Sequence, residues 1–214
     1  MTITAQLSAA SGLAVTVPFT VNAASTATGG GTDYSITASP ITINAGSTTG
    51  TITITVVNDL LDENNETVIV DMGTPVNATL GATTTHTATI NDNDNQPSVQ
   101  FSAATQTVSE AVGAVTVTAN LSAASGLTVT VPYTVSGTAA NPADHDLANG
   151  NITITAGSTS GSVSFNVVND ALDEDDETVI LTMGTPVNAT LGTTTVQTVT
   201  IQDNDAAPTV TFTA

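Results

Sequence analysis

No lysine or arginine occurs among the 214 residues, although 19 residues are aspartate or glutamate, so the formal net charge is −19. A chain without cationic side chains cannot neutralise phosphates, so nucleic acid and anionic lipid are poor partners. Cysteine is absent too, so neither disulfides nor thiolate metal sites can stabilise the fold. The lack of thiols fits an extracellular bacterial location.

Long apolar runs are also missing. No run approaches the roughly 20 residues that a membrane-spanning helix requires, and the residues after Met1 do not form a signal peptide. We therefore expect no membrane insertion, and we expect any export signal to lie outside this sequence.

Threonine, valine and isoleucine are abundant, and these residues favour the pleated, half-buried surface of a strand. A hydrophobic content of 40% excludes a disordered chain despite the charge. Alternating polar and apolar runs, such as AVTVTANL at 114–121, predict strands with one buried face. About seven such strands in each copy of an internal repeat predict an all-β chain of two tandem immunoglobulin-like antiparallel sandwiches.

The repeat divides the chain. ITINAGSTTG at 41–50 returns as ITITAGSTSG at 152–161, and MGTPVNATLG at 72–81 returns at 183–192. We predict a first domain at 1–95, a second domain at 96–206 and a further opening strand at 207–214.

The opening strand is distributed unevenly between the two copies. PSVQFSA at 97–103 opens the second copy and returns as PTVTFTA at 208–214, whereas Met1 aligns with Val115, so the first copy has no such strand. One explanation is that the sequence is a window of a longer array. The other is that the strand at 208–214 fills the open sheet edge of another copy, which would join copies of the chain head-to-tail.

The acids concentrate in a few clusters that recur in both copies, and only Asp71 lies elsewhere. Two like charges about 4 Å apart repel by roughly 4 kcal/mol at an effective dielectric constant near 20, so folding such clusters together requires cations, raised pKa values or wide separation. Flexible loops that offer only oxygen ligands favour Ca²⁺. The alternative is that these acids are solvated turn formers.

The most specific motif is D-A-L-D-E-D-D-E-T at 170–178, which corresponds to D-L-L-D-E-N-N-E-T at 59–67, and each copy ends in D-N-D. This ordered set, present twice, resembles the Calx-beta domain, known from sodium/calcium exchanger regulatory modules, integrin beta-4 and large bacterial surface proteins. In calcium-binding members of that family, acids from these motifs meet at one end of the sandwich.

The resemblance implies a set of calcium ligands in each copy. In the second copy they are Glu110, Asp146, Asp170, Glu174, Glu177, Asp203 and Asp205. In the first copy they are Asp33, Asp59, Glu63, Glu66, Asp92 and Asp94. The family often has Asp-Tyr in the middle loop, which the first copy keeps at Asp33-Tyr34, whereas the second copy has Asp146-Leu147 with Asp144 nearby.

We interpret the chain as a structural, non-enzymatic repeat of an extracellular bacterial filament or large surface adhesin, with calcium at the domain ends rigidifying the interdomain joints. The alternative is a calcium-sensing regulatory pair that controls an attached protein. The close similarity of the two copies favours the structural interpretation, because a sensor pair usually differentiates its sites.

Overall fold

The computed structural model describes residues 1–213 and divides the chain into two compact units. Unit 1 comprises Met1–Leu60 and Asn64–Asn93, and unit 2 comprises Leu61–Glu63 and the residues from Asp94 onward. Ala214, the last residue of the predicted strand at 208–214, lies outside the described residues. Within residues 1–213, we find no helix with the length and apolar character needed to cross a bilayer.

Up to residue 213, unit 2 contains nine strands and one 3₁₀ turn, and its longer strands coincide with alternating runs of the sequence. The strands are β9 (Ser98–Phe101), β10 (Thr105–Ser109), β11 (Ala114–Leu121), β12 (Val129–Gly137), β13 (Gly150–Ile154), β14 (Ser160–Asn166), β15 (Glu177–Met183), β16 (Thr190–Leu191) and β17 (Val196–Gln202). The 3₁₀ turn is Glu110–Val112, and the Ser109 side chain caps it by accepting a hydrogen bond from Ala111 N.

These strands form two sheets. One sheet has the order β10-β17-β15-β12-β13 and the other has the order β14-β11-β9-β16. The core contains Val117, Val131, Leu181 and Val199, all fully buried, because the alternating pattern turns every second residue inward. The sequential strands β9 and β10 belong to different sheets: β10 is an edge strand of the first sheet, and β9 lies between β11 and β16 in the second.

Unit 1 repeats this arrangement with fewer strands. They are β1 (Thr2–Gln6), β2 (Val15–Val17), β3 (Phe19–Val21), β4 (Tyr34–Ile36), β5 (Ile41–Ile43), β6 (Thr49–Val56), β7 (Glu66–Met72) and β8 (Thr85–Ile90). Pro18 separates β2 from β3, where the equivalent Pro132 lies inside the continuous strand β12. β1 pairs with β6 and β8 pairs with β7, so within unit 1 both β1 and β8 are edge strands.

The prediction of an all-β chain with two immunoglobulin-like sandwiches is confirmed. The segment after β17, residues 203–213, forms no strand within the chain, and its apolar residues Val210 and Phe212 are exposed to solvent.

Candidate metal centre

The topology of unit 2 gathers its acids at one end. β10 and β17 run parallel and end side by side, whereas the antiparallel β15 begins there, with Glu177 opposite Ile201. The 3₁₀ turn after β10 supplies Glu110, and the segment between β14 and β15 supplies Asp170 and Glu174. The loop between β12 and β13 and the segment after β17 supply the remaining acids, Asp144, Asp203 and Asp205.

Two groups of carboxylates result. We call Glu110, Asp170 and Asp205 the inner group and Asp144, Glu174 and Glu177 the outer group. Within each group, one oxygen of every carboxylate lies within 4.8 Å of the others.

The inner group is organised around Glu110, whose residue is only 7% exposed. Its Oε1 accepts a hydrogen bond from the Asp170 backbone N–H at 3.1 Å, and its Oε2 accepts one from Asn204 Nδ2 at 3.2 Å. Asn204 Nδ2 also donates to Asn169 Oδ1 at 2.8 Å. These contacts hold a buried carboxylate beside Asp170 and Asp205, although none of them supplies a positive charge.

Electrostatic crowding is most evident in the outer group. The pKa of Glu177 is raised to about 7, and burial is the largest cause. Its hydrogen bond to Asp144 and the charges of Asp144 and Glu174 raise it further. Glu174 is exposed, and partial desolvation raises its pKa, with further contributions from the charges of Asp144, Asp170, Glu110 and Asp203. The carboxyl groups of both groups therefore act on one another electrostatically.

The chemistry of this end fits a hard divalent cation. A small cavity of about 10 Å³ is lined by residues of both groups together with Asp175 and Asp203. Asp205 Oδ2 is buried and has no hydrogen-bond partner among the described residues. A buried anionic oxygen without a donor is costly unless a cation compensates it. Calcium binds oxygens at about 2.3–2.6 Å, so oxygens up to about 5 Å apart can share one ion.

Unit 1 has a smaller version of the same arrangement. Asp33, just before β4, and Glu66, the first residue of β7, present carboxylate oxygens within 4.8 Å of each other. The Asp33 carboxylate accepts a hydrogen bond from Thr28 N. No residue of unit 1 corresponds to Glu110, because β1 aligns with β11, which follows the 3₁₀ turn.

The other predicted residues of the first copy are Asp59, Glu63, Asp92 and Asp94. Asp59 is exposed in the segment between β6 and β7. Asp92 is half-buried after β8, and its backbone N–H donates to Asn65 Oδ1 at 2.9 Å. Glu63 and Asp94, both half-buried, fall among the residues that group with unit 2.

Comparison with known proteins decides the family. The profile of the Calx-beta domain matches residues 2–94 and again residues 92–205. The chain belongs to the Calx-beta domain family. The predicted tandem pair of Calx-beta domains is thereby confirmed. No curated protein sequence matches the chain.

Solved structures of Calx-beta domains are similar as well. An apo-form Calx CBD1 domain is 23% identical, with a TM-score of 0.48, covering 52% of this chain and 100% of that one. The CBD12 structure of CALX1.2 is 16% identical, with a TM-score of 0.46, covering 94% of this chain and 93% of that one. The calcium binding domain CBD12 of CALX1.1 is 16% identical, with a TM-score of 0.45, covering 93% and 92%.

In the second Calx-beta domain the structure brings Asp144, not Asp146, into the acidic end. Asp146 is exposed, and its two carboxylate oxygens accept hydrogen bonds from Asn166 N at 2.7 Å and Asn166 Nδ2 at 2.8 Å. These bonds, the side-chain one first, lower the pKa of Asp146. Its carboxylate is therefore satisfied by neutral donors away from the two groups.

Asp144 occupies the place that Asp33 has in the first Calx-beta domain. The backbone oxygen of Asp33 accepts from Val57 N at 2.8 Å, and that of Asp144 accepts from Val168 N at 2.9 Å. The sequence contained a signal for this equivalence: the offset that carries the repeated 41–50 segment onto 152–161 also carries Asp33 onto Asp144.

Asp203 links the inner group to its surroundings. Its Oδ1 accepts from Asp205 N at 3.3 Å, and its backbone N–H donates to Asp176 Oδ1 at 3.3 Å. Of the seven residues predicted for the second domain, six lie at or beside the two groups, and Asp146 does not. Asn204 and Asp144 complete the arrangement.

Proposed function

We propose that the chain is a calcium-binding structural repeat of an extracellular bacterial filament or large surface adhesin. The single observation that carries the calcium assignment is the inner group: Asp205 lies near Glu110 and Asp170, and its buried Oδ2 has no hydrogen-bond partner among the described residues. The chain offers no lysine or arginine to compensate this charge.

In this proposal Glu110, Asp170 and Asp205 hold one ion, and Asp144, Glu174 and Glu177 either hold a second ion or complete the coordination of the first. When bound, calcium supplies the positive charge that the crowded carboxylates require. Asn204 keeps Glu110 oriented through its 3.2 Å hydrogen bond. In unit 1, Asp33 and Glu66 form the core of a weaker site.

A structural role follows from where the ligands lie along the chain. Glu110, Asp170 and Asp205 are far apart in sequence, so an ion bound by all three links the 3₁₀ turn, the 167–176 segment and the C-terminal end of β17. Asp205 is separated by two residues from PTVTFTA at 208–214, the copy of the opening strand PSVQFSA. Binding would therefore limit local opening at the domain end and rigidify the joint there.

Extracellular surroundings suit such a site. Calcium sites of extracellular modules have dissociation constants of about 10⁻⁴–10⁻³ M, whereas regulatory sensors bind at about 10⁻⁷–10⁻⁵ M. A dissociation constant in the first range with little change of shape supports the structural proposal. Micromolar affinity with a large change in the scattering profile would support the regulatory alternative instead.

The direct test is calorimetric titration of the EDTA-treated full chain with CaCl₂, together with thermal melts. Saturation at 100 times the dissociation constant adds about 2.7 kcal/mol, which corresponds to a rise in Tm of roughly 10–20 °C for a domain of this size. Asp205→Asn removes an inner-group ligand, so we expect it to abolish most of this rise. Asp173→Asn, at an exposed residue outside both groups, is the matched control. Identical melting curves with EDTA and with calcium would refute the proposal.

A further inference from the structure

Unit 1 contains an apolar groove along the edge strand β1. The groove has a volume of about 370 Å³, and its lining includes Ala5, Leu7, Met72, Ala78 and Leu80. None of its lining residues is an aspartate or glutamate, although the chain carries 19 of them. The lining thus carries no negative side chain in a strongly acidic protein, and His86 is its one titratable residue.

Unit 2 shows which element covers the corresponding surface. There, β9 pairs antiparallel with β11, placing Phe101 opposite Ala119 and Val99 opposite Leu121. Val99 is 0% exposed and Phe101 is 1% exposed, so both side chains close the core. β9 also pairs in parallel with β16. A strand of this sequence is therefore an integral part of a complete sandwich.

The residues beneath this strand differ in burial between the two units. Leu121, Met183 and Ala189 are buried in the core of unit 2. Their counterparts in unit 1 are Leu7, Met72 and Ala78, which pack against the core but are only partly buried. Unit 1 thus has the residues that a β9-like strand would cover.

The segment 208–213 repeats the sequence of β9. PTVTFT at 208–213 corresponds to PSVQFS at 97–102, with Val210 in the place of Val99 and Phe212 in the place of Phe101. Val210 is 97% exposed and Phe212 is 107% exposed. A free Phe and a free Val in alternating positions match the two side chains that close the core of unit 2.

We propose that residues 208–213 of one chain add a strand to the groove of unit 1 in a second copy of the same chain. The register follows from β9 and β11: Phe212 lies opposite Ala5, Thr211 opposite Gln6, and Val210 opposite Leu7 of the partner. Strand addition of this kind satisfies an open sheet edge with backbone hydrogen bonds and fills the groove with alternate side chains.

Charge favours this pair of surfaces over other contacts between copies. Each chain carries a net charge of −19, so most of its surfaces repel another copy. Neither the groove lining nor residues 208–213 contain an aspartate or glutamate, and His86 is the one titratable side chain of the lining. Because donor and acceptor lie on the same chain at different places, the contact is heterologous and propagates into a head-to-tail assembly. It does not require calcium.

The register is tested by disulfide trapping. The chain contains no cysteine, so the background is zero. Gln6→Cys in one preparation and Thr211→Cys in another place thiols opposite each other on the solvent side of the proposed pair. After mixing, we expect a cross-linked heterodimer. Thr209→Cys with Gln6→Cys, displaced by two residues, should yield at least about tenfold less. Equal yields for the two pairs, or no heterodimer, overturn the proposal.

The donor side chains are tested by the oligomeric state of the full chain, measured by light scattering over a range of concentrations. Phe212→Glu places a charge in the groove and should leave monomers. Thr211→Glu adds the same charge in the place of the polar Gln100 and should leave assembly intact. Assembly of Phe212→Glu at the wild-type level, or a wild type that stays monomeric at every concentration, overturns the proposal. The measurements are made in EDTA and repeated in calcium, so their outcome is independent of the metal site.

Discussion

Individual carboxylates in this chain divide into two kinds by their neighbours. Asp71 accepts hydrogen bonds from Thr85 Oγ1 at 2.7 Å and from Asn22 Nδ2 at 2.6 Å, and these donors lower its pKa. Glu174 and Glu177 instead face other carboxylates, and their pKa values are raised. The first kind is satisfied by the fold alone, whereas the second kind needs a proton or a cation.

Glu177 makes stability depend on pH when calcium is removed. Its pKa rises from 4.5 in the unfolded chain to about 7 in the fold, so the folded state binds the extra proton between these values. The stabilisation is fully present below pH 4.5 and is lost as pH rises toward 7. In EDTA we expect Tm to fall between pH 5 and pH 7.5, and Glu177→Gln should flatten much of this slope. An equally steep slope in that variant would contradict the assignment.

Asp144 and Asp146 form a natural matched pair, because they lie two residues apart and carry the same charge. Asp144→Asn removes an outer-group ligand and should weaken calcium binding by about tenfold or more, or roughly 1.4 kcal/mol. Asp146→Asn alters only the bonds to Asn166, so its calcium affinity should stay within about twofold of the wild type. Calorimetric titration of both variants checks this. The reverse order would show that Asp146 is the ligand.

Asp144 and Asp146 also show which parts of the candidate site could be predicted from the sequence. The spacing of Asp170, Glu174 and Glu177 and the closing Asp203 and Asp205 could be predicted, because the motif is local in sequence and occurs twice. The middle-loop ligand could not be chosen from the motif alone. That choice depends on the burial of the following residue: His145 is 3% exposed, as Tyr34 is in unit 1, and this fixes the direction of the preceding Asp144.

At the level of elements, the strands follow the alternating pattern because every second residue packs into the core. The sandwich and the repeat were therefore predictable from the sequence. The place where the loops converge was less predictable, because it depends on which strands pair in parallel. The parallel pairing of β10 with β17 brings Glu110 close to Asp205. The alternating polar and apolar pattern of β10 does not indicate that β17 is its partner.

Gly137 ends β12 and leads into the loop that carries Asp144. Its φ is +130°, and a Cβ there would lie 2.0 Å from the backbone oxygen of Thr178 in β15. Gly137→Ala must therefore separate two paired strands, and we expect a loss of roughly 2–4 kcal/mol in the free energy of unfolding. Urea denaturation in EDTA measures it without a contribution from calcium.

The control for that variant is Gly157→Ala. Gly157 also has a positive φ, +78°, but a Cβ there meets nothing within 4 Å. The substitution introduces backbone strain but no steric clash, so the free energy of unfolding should fall by about 1 kcal/mol. Equal losses of unfolding free energy at the two positions would mean that the close approach of β12 to β15 does not contribute to the destabilisation.

Across the whole molecule, two homologous domains carry unequal numbers of carboxylate ligands. Unit 2 contains both an inner and an outer group, whereas the residues of unit 1 contribute Asp33 and Glu66 to a carboxylate group. With a net charge of −19, each domain also gains from reduced self-repulsion when a cation binds. Calcium should therefore stabilise the two domains to different extents.

Differential scanning calorimetry of the full chain resolves this difference. We expect calcium to raise the transition of unit 2 by roughly 10–20 °C and that of unit 1 by clearly less, because each kcal/mol shifts the Tm of a domain this size by about 4–8 °C. Asp205→Asn should cancel the larger shift and Asp33→Asn the smaller one, which assigns each transition to its domain. If calcium instead moves both transitions equally and each substitution affects both, the ion acts by screening the net charge and not at the carboxylate groups of each domain.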